Sequence, residues 1–403
     1  MLIWRIFLWL IFWCFIAITC YSQQDCGSKS EVLFEFYKEK NNFIPLNSLK
    51  NPFAGQKVIK AKFVIINSEN YENYKNNSED IVHLKNIIHY ANSMLSNLEK
   101  PLKPQESICG SCYISNSGFQ LSLIDIIFLE ETDFISSTAL PGQDSILHIF
   151  VQKPFGKDKR NGSASLGGSK NILRTAALYI NLYGQKEREL RYETARVLLH
   201  ELGHNFSLKH LYSNNMSSQQ ETCNEEHSDY LLDIFNSGKE KWCPDNNPDW
   251  SCEPTDPKTY CTNNIMDHRM WGYLSPMQLG IMHRASYIGD IKNYIYPPNN
   301  QLNATIYLDR NETWDFPMRL YQDVVIPNGI TLIVKCTIEM PVKSKIRIEE
   351  GGKLIIDGGC ITSYNDKSKW GGVVSKRKGL FNKRVSIENL VILKNAGKIK
   401  NVH

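Results

Sequence analysis

The chain has 403 residues, and its 46 lysine and arginine residues against 42 aspartate and glutamate residues give a formal net charge of +4. Its 42% of hydrophobic residues and its modest glycine and proline content exclude a disordered or collagen-like chain, and its length allows two packed domains. A net charge this small, without a long basic run, predicts no nucleic-acid partner.

Residues 1–22 have the pattern of a secretory signal peptide. One charge, Arg5, precedes an apolar stretch from Ile6 to Ile18, and small or polar residues follow up to Ser22. We therefore predict cleavage after Ser22 and a secreted, extracellular chain. The alternative is a retained anchor, which would keep the protein at the cell surface and provide its only membrane contact. The apolar stretch is, however, shorter than the ~20 residues of a spanning helix.

The rest of the chain divides into three segments. Residues 23–57 are polar and irregular, and we interpret them as a leader or pro-segment. Residues 58–292 alternate like a mixed α/β domain, and residues 293–403 are rich in short strand patterns. We therefore predict two folded domains after the leader.

Apolar spacing predicts the first elements of the middle segment. An apolar run covers residues 63–66, and apolar residues from Ile81 to Leu98 recur at steps of three and four, which predicts a helix over residues 80–98 packed on a sheet. Strand patterns follow at residues 121–129 and 146–151. The glycine- and serine-rich segment 161–169 predicts a loop.

A second helix is predicted over residues 191–206, RYETARVLLHELGHNF, because five apolar residues form one stripe along it. The stripe consists of Tyr192, Ala195, Leu199, Leu202 and Phe206. We expect this stripe to face the core.

His200 and His204 lie four residues apart on this helix, so their imidazoles project from one face and can bind one metal ion. Glu201 lies beside them and is interpreted as the group that deprotonates the attacking water, not as a ligand. Two ordinary surface histidines are the alternative. A chance HExxH in a chain with ten histidines is on the order of one in a hundred, which favours a metal site.

His210 can reach the same metal only if the chain turns sharply after Phe206. Here the sequence resembles the metzincin zinc peptidases, whose motif HExxHxxGxxH has a glycine at the turn and a third histidine ligand. The resemblance implies that His210 binds Zn²⁺ together with His200 and His204. This chain has Ser207 at the glycine position, where a positive φ would cost on the order of 1 kcal/mol, which metal binding can offset.

The segment 261–270, CTNNIMDHRM, resembles the tight turn that carries a methionine beneath the metzincin zinc site, the Met-turn. The resemblance implies that Met266 is this methionine, and an ordinary core methionine is the alternative. Several metzincins have a tyrosine two residues further on, where this chain has His268. We interpret His268 either as a hydrogen-bond donor to the oxyanion or as a solvated loop residue.

The segment LSPMQLGIMH predicts a helix with Ser275 as its N-cap, Pro276 in its first turn and Gln278 completing a capping box. With the NNIMD segment and the four cysteines between residues 223 and 261, it resembles the pappalysin-like secreted peptidases of bacteria over about residues 60–285. The resemblance implies an α+β fold, with a mixed sheet and an active-site helix.

The same resemblance implies two interlaced disulfides, Cys223 with Cys252 and Cys243 with Cys261. Spacing alone leaves all three connectivities of these four cysteines open.

From about residue 295, short strand patterns alternate with glycine-rich turns. Leu332 and Val334 recur as Leu354 and Ile356, a step of 22 residues, and a third stretch follows at residues 385–393. Short strands at this period resemble a right-handed parallel β-helix or a small β-solenoid, and an ordinary β-sandwich is the alternative. No recognisable cap follows the third stretch, so we predict an incomplete repeat region.

Nine of the eleven cysteines remain after removal of the signal peptide, and an odd number leaves one unpaired. Cys109 and Cys112 are close neighbours, and Cys336 and Cys360 lie in adjacent predicted coils, so each pair is predicted to form a disulfide. Cys26 is then left over. A leader cysteine can bind zinc and hold a metzincin inactive, so Cys26 is a candidate switch. The alternative is an unpaired or intermolecular thiol.

These motifs together predict a secreted zinc-dependent endopeptidase that hydrolyses protein or peptide substrates with a metal-activated water. A surface binding or adhesion protein with a degenerate peptidase scaffold is the alternative from another class. A third interpretation is a zinc peptidase whose third ligand is Glu225 or Glu226 instead of His210.

Calcium is a further candidate cofactor, because acidic side chains lie between the histidine motif and the Met-turn. They fit no known calcium-binding loop, and a solvated face is the simpler explanation. These residues are Glu221, Glu225, Glu226, Asp229 and Asp233.

Overall fold

The computed structural model describes residues 43–45, 56–67, 74–101, 113–130, 145–151, 162–164, 177–180, 188–208, 263–266, 272–296, 305–315, 317–365, 367–376 and 391–403. The chain divides between Tyr296 and Pro297 into two compact units, the amino-terminal and the carboxy-terminal unit. Within the described residues, no helix is long and apolar enough to cross a membrane. The predicted signal peptide, residues 1–22, lies outside the described residues.

The amino-terminal unit contains a five-stranded sheet in the order β2–β1–β3–β5–β4. Its strands are β1 (Lys57–Asn67), β2 (Phe119–Glu130), β3 (Leu147–Val151), β4 (Gly162–Ala164) and β5 (Ala177–Ile180). The pairs β1–β2, β1–β3 and β3–β5 are parallel, and β4 is antiparallel to β5 at the edge. The sheet is therefore mixed, as predicted.

The strand β4 corrects one expectation, because it lies inside the segment 161–169 that was predicted to be a loop. Its three residues are paired with β5. Backbone hydrogen bonds to a neighbouring strand do not depend on side-chain type, so an edge strand can form from a glycine- and serine-rich sequence.

The centre of the sheet explains the apolar run in β1. Phe63, Val64 and Ile65 are consecutive and each has 0% exposure. Neighbouring side chains of a strand point to opposite faces, so both faces of β1 are covered. A strand covered on both faces has a continuous apolar run instead of alternation.

Among the described residues, the amino-terminal unit has three α-helices and one 3-10 helix. They are α1 (Ser78–Ser96), α2 (Arg188–Asn205), α3 (Pro276–Ile288) and the 3-10 helix Asp290–Asn293. α1 contacts both α2 and β2, and α2 contacts β4 and β5. The helix that carries the HExxH motif therefore lies next to the edge of the sheet.

The predicted helix over residues 80–98 is confirmed as α1. It begins earlier because Asn77 is the N-cap, and its side chain accepts a hydrogen bond of 2.9 Å from the Asp80 backbone N–H. Four members of its predicted apolar stripe that lie within the helix are buried, namely Leu84, Ile88, Ala91 and Leu95.

The predicted cap of α3 is also confirmed. The Ser275 Oγ accepts a hydrogen bond of 3.2 Å from the Gln278 N–H, and the Gln278 Oε1 accepts one of 2.9 Å from the Ser275 N–H. Pro276 occupies the first turn. This is the reciprocal capping box that the sequence pattern predicted.

Part of the predicted leader packs against α3. Phe43 and Ile44 are buried, and the ring centre of Phe43 lies 5.9 Å from that of Tyr287. The guanidinium carbon of Arg284 lies 5.2 Å from the ring centre of Phe43. The compact amino-terminal unit therefore includes Phe43 and Ile44 of the predicted leader.

Lys57 is buried at the start of β1. Its Nζ lies 3.1 Å from the His283 Nδ1 and 5.0 Å from the ring centre of Tyr287. The His283 Nε2 donates a hydrogen bond of 2.9 Å to the Ser117 carbonyl, so its Nδ1 accepts from Lys57. Burial lowers the pKa of Lys57 to about 7.

The carboxy-terminal unit contains three four-stranded sheets. They are formed by β6–β9–β12–β15, β7–β10–β13–β16 and β8–β11–β14–β17, and the strand pairs within them are parallel. Each successive set of three strands gives one strand to each sheet. The described strands therefore take the chain through the three sheets in turn, four times.

The strands of this unit are two to five residues long. They are β6 (Ile306–Tyr307), β7 (Glu312–Trp314), β8 (Met318–Arg319), β9 (Val324–Ile326), β10 (Thr331–Val334), β11 (Thr337–Met340), β12 (Ile346–Glu349), β13 (Lys353–Asp357), β14 (Cys360–Ser363), β15 (Val373–Lys376), β16 (Val391–Lys394) and β17 (Lys398–Ile399).

The predicted step of 22 residues is confirmed by the strand register. Leu332 pairs with Leu354, and Val334 pairs with Ile356. All four side chains have 0% exposure, so equivalent residues stack inside the unit. Parallel pairing at this step excludes an antiparallel β-sandwich for these strands.

The predicted disulfide between Cys336 and Cys360 is wrong. Cys360 is a free, buried thiol, whereas Cys336 is disulfide-bonded. The register of β11 and β14 explains the difference, because it places Thr337, not Cys336, opposite Cys360. Every other cysteine lies outside the described residues.

Candidate metal centre

The helix α2 brings His200 and His204 together inside the amino-terminal unit. The two side chains are buried, and their ring centres lie 4.9 Å apart with the ring planes at 90°. The apolar residues Leu199 and Leu202 of the predicted stripe are buried with them. Two imidazoles at this separation can bind one ion, because zinc lies about 2.0–2.1 Å from its histidine nitrogens.

Backbone carbonyls fix the orientation of both rings. The His200 Nδ1 donates a hydrogen bond of 2.8 Å to the Ile265 carbonyl, and the His204 Nδ1 donates one of 2.7 Å to the Leu208 carbonyl. A carbonyl oxygen only accepts, so each Nδ1 carries the ring proton. In a neutral ring the Nε2 then has the lone pair that a metal needs, which is the usual arrangement of metal-binding histidines.

The protonation of His204 is consistent with this arrangement. Burial lowers the pKa of His204, and the hydrogen bond to Leu208 raises it by a smaller amount. A lowered pKa favours the neutral imidazole. Only the neutral form can bind a metal ion.

The chain turns sharply at the end of α2, as was predicted for the segment after Phe206. Ser207 has a φ of +71°, in the left-handed region. The Leu208 N–H donates to the Gly203 carbonyl over 3.0 Å, and the Ser207 N–H donates to the His204 carbonyl over 2.8 Å. These two bonds form a Schellman cap, a helix ending that usually has glycine where this chain has Ser207.

Met266 lies against α2 between the two histidines. Its side chain is fully buried and faces Gly203, which precedes His204. The preceding residue, Ile265, provides the carbonyl that binds His200. The segment around Met266 therefore contacts α2 at Gly203 through a side chain and at His200 through its backbone.

Glu201 directly follows His200 and is also buried, with 4% exposure. A carboxylate is rarely withdrawn from water unless it is paired or has a chemical role. The structure thus brings Glu201 to the same end of α2 as the two histidines.

Several predicted site residues lie outside the described residues, and their positions stay predictions. They are His210, His268, Cys26, Cys109, Cys112, Cys223, Cys243, Cys252, Cys261 and the acidic residues proposed for calcium or zinc, Glu221, Glu225, Glu226, Asp229 and Asp233. Within the part of the chain that the structure describes, no group of three or more histidine, cysteine, aspartate or glutamate side chains could hold a metal ion.

Sequence reasoning missed the residues that support the histidine pair. Asn264 was not identified, and Gln278 was assigned only to the cap of α3. The Asn264 Oδ1 accepts a hydrogen bond of 2.9 Å from the Met266 N–H. Asparagine often bonds the backbone two residues further on, so the spacing of Asn264 and Met266 was an available signal.

No protein-family model matches the chain, and no curated protein matches it. Among solved structures, mature mirolysin of Tannerella forsythia in complex with a cleaved peptide is similar, at 15% sequence identity and a TM-score of 0.40. The match covers 60% of this chain and 96% of that chain. With similarity this low, the interpretation of the metal centre depends on its own residues.

Proposed function

We propose that this protein is a secreted, zinc-dependent endopeptidase of the metzincin class, similar to the pappalysin-like peptidases. One observation carries the proposal. The His200 and His204 Nδ1 atoms are held by backbone carbonyls at 2.8 and 2.7 Å, which presents both Nε2 atoms at the end of a helix that also bears Glu201. The substrates of such a centre are proteins or peptides.

The donor set fits zinc. Neutral imidazole nitrogen is a preferred zinc ligand, and the left-handed turn at Ser207 redirects the chain before the third histidine. His200, His204 and His210 would hold the ion. When bound, zinc would act as a Lewis acid that lowers the pKa of a water molecule and polarises the peptide carbonyl.

The protein's own groups would carry the proton transfers. Glu201 takes a proton from the attacking water and gives it to the leaving amine nitrogen, while one C–O bond forms and one C–N bond breaks. We propose His268 as a hydrogen-bond donor to the developing oxyanion. In this proposal Glu201 transfers the proton, and His268 stabilises the negative charge of the oxyanion.

The test is zinc content and peptide cleavage of the chain from residue 23 onward. We expect about one zinc per wild-type chain, and none in His204→Ala or His210→Ala. The variant Glu201→Gln should keep its zinc and its fold but lose peptide cleavage by several orders of magnitude. Further truncation of the leader should stop before Phe43, because Phe43 and Lys57 are buried in the folded unit.

Two results would contradict the proposal and favour one of its alternatives. Stoichiometric zinc in His210→Ala would contradict the three-histidine site and favour Glu225 or Glu226 as the third ligand. A zinc-loaded wild type that cleaves nothing in a broad peptide library would favour the binding or adhesion protein.

We also propose that the carboxy-terminal unit is a parallel β-helix. The proposal is supported by three parallel sheets that each receive one strand per pass of the chain, and by the step from Leu332 to Leu354. Signal-peptide cleavage after Ser22 belongs to the same proposal, as do the disulfides Cys109–Cys112, Cys223–Cys252 and Cys243–Cys261. Amino-terminal sequencing and non-reducing peptide mapping of the secreted protein test these last points.

A further inference from the structure

Two buried amide side chains join the Met266 turn to the start of α3. The Asn264 Nδ2 donates a hydrogen bond of 2.7 Å to the Gln278 Oε1, and the Gln278 Nε2 donates one of 3.1 Å to the Asn264 Oδ1. Asn264 has 0% exposure and Gln278 has 1%. We call these two reciprocally bonded side chains the amide pair.

Backbone groups fix the orientation of both amides. The Met266 N–H donates to the Asn264 Oδ1 over 2.9 Å, and the Ser275 N–H donates to the Gln278 Oε1 over 2.9 Å. If either amide were flipped, its NH₂ group would face a backbone N–H, and two donors cannot bond to each other. The amide pair therefore has one arrangement, which holds residues 264–266 in one conformation.

That conformation places the carbonyl that orients His200. Ile265 lies between Asn264 and Met266, and its N–H donates to the Tyr273 carbonyl over 2.8 Å. The carbonyl of Ile265 accepts the hydrogen bond of 2.8 Å from the His200 Nδ1. A shift of residues 264–266 would move this oxygen and release the ring of His200.

We propose that Asn264 and Gln278 are positioning residues for the metal centre, which act through the Ile265 carbonyl to hold the ring orientation and tautomer of His200. This inference rests on the proposed function. Substitution of groups that orient metal-binding histidines typically lowers metal affinity or activity by about 10- to 100-fold. We expect an effect of that size when the amide pair is broken.

The test is the zinc affinity of the folded protein, measured by competition with a chromophoric chelator. Two variants break the amide pair while keeping the side-chain length. In Gln278→Glu at pH 8, a carboxylate oxygen faces the Asn264 Oδ1, and Gln278→Met removes both hydrogen bonds. We expect the Kd for zinc to rise about 10- to 100-fold in both variants, with the fold checked by circular dichroism.

The pH dependence of the zinc affinity of the two Gln278 variants is a second measurement. At pH 5.5 the new carboxyl group of Gln278→Glu begins to protonate and regains a donor for the Asn264 Oδ1. The affinity deficit relative to wild type, measured at the same pH, should therefore shrink between pH 8 and pH 5.5. The deficit of Gln278→Met should not shrink, because methionine has no group that titrates.

Ser275→Ala is the matched control. The Ser275 Oγ caps α3 by accepting from the Gln278 N–H at 3.2 Å, so its removal weakens the same helix end and leaves the amide pair intact. We expect a lower midpoint of thermal unfolding and an unchanged zinc affinity.

Wild-type affinity in both Gln278 variants would overturn the inference, and so would an equal loss in Ser275→Ala, because helix stability alone would then explain it. If Gln278→Met does not fold, the pH dependence of the zinc affinity of Gln278→Glu decides whether the amide pair affects the metal centre.

A wild-type protein that binds no zinc would overturn the proposed function as well. If wild type binds zinc and the Gln278 variants bind it equally well, only the further inference is overturned.

Discussion

A Cβ atom added to Gly203 would overlap the Sδ of Met266. Gly203 precedes His204 in α2, and Met266 follows the residue whose carbonyl binds His200. The methionine therefore occupies the space that the glycine leaves open. The contact with Met266 explains why a glycine occupies this position in a helix. A glycine in a helix interior lowers the stability of the helix by about 1 kcal/mol relative to alanine.

Gly203→Ala should lower the free energy of unfolding, although alanine is the better helix residue. The added methyl would push Met266 out of place, and overpacking of this kind costs about 1–3 kcal/mol. Urea denaturation of wild type and variant measures the change. An increase in stability would contradict the close contact.

The double variant Gly203→Ala/Met266→Ala isolates the contact. Met266→Ala removes the sulfur that the added methyl would meet, so the two losses should not add. We expect the double variant to be more stable than their sum predicts, by about 0.5–3 kcal/mol. Additive losses would mean that the two side chains do not interact.

Ser207→Gly should be more stable than Ser207→Ala by about 1 kcal/mol. Both variants lack the hydroxyl, so they differ in how well they accept a φ of +71°. A left-handed conformation costs about 1–2 kcal/mol for a residue with a Cβ and little for glycine, which is offset in part by the greater unfolded-state freedom of glycine. Thermal unfolding of the two variants tests this, and equal stability would argue against the left-handed turn.

Lys57 should make the protein more stable as the pH rises from 7 to 10. The pKa of Lys57 is about 7 in the folded protein, against 10.5 for an exposed lysine, so the unfolded chain binds more protons in this range. The free energy of unfolding therefore increases with pH until the unfolded lysine also loses its proton. Below pH 7 Lys57 is protonated in both the folded and the unfolded chain, so the folded protein bears the full free-energy cost of the buried charge.

Lys57→Met removes this titration, because methionine carries no proton. The stability gained by wild type relative to Lys57→Met between pH 7 and pH 10 is the quantity to measure, since groups that do not contact Lys57 titrate in the same way in both proteins. A difference that does not change with pH would show that Lys57 keeps an ordinary pKa.

Cys360 should react with an alkylating reagent in denaturant without reductant, and Cys336 should not. The expectation follows from the free thiol of Cys360 and the disulfide of Cys336, and mass spectrometry of the labelled peptides checks it. The same map identifies the partner of Cys336. A disulfide from Cys26 to Cys336, or to any other cysteine, would remove the zinc-switch hypothesis for Cys26.

The elements that follow from local sequence were predicted well. The capping box of α3 depends on Ser275 and Gln278, three residues apart, and the stripe of α1 depends on spacing alone. The turn at Ser207 was expected from the position of His210, and its positive φ agrees with that expectation.

Contacts between distant residues could not be read in the same way. The hydrogen bond from His200 to Ile265 joins residues 65 positions apart. Neither a histidine nor an isoleucine at these positions predicts that the two residues are in contact. The pairing of Cys336 and Cys360 was inferred from a period, but a disulfide depends on register to the single residue, and Thr337 takes the position opposite Cys360. The repeat length of the sequence predicts that the strands stack on one another. It does not predict which side chains are in contact.

The carboxy-terminal unit has a consequence for how its length can vary. In the part of this unit that the structure describes, each strand pairs with the strands one pass earlier and one pass later in the chain, as in the order β7–β10–β13–β16. In such a stack, stability is close to a sum of terms for neighbouring passes. Duplication or loss of one whole pass would therefore leave the other interfaces unchanged, whereas insertion of a single residue within a strand such as β13 would turn the residues that follow it to the opposite face. This unit can change in evolution by whole passes, and its strands resist smaller changes.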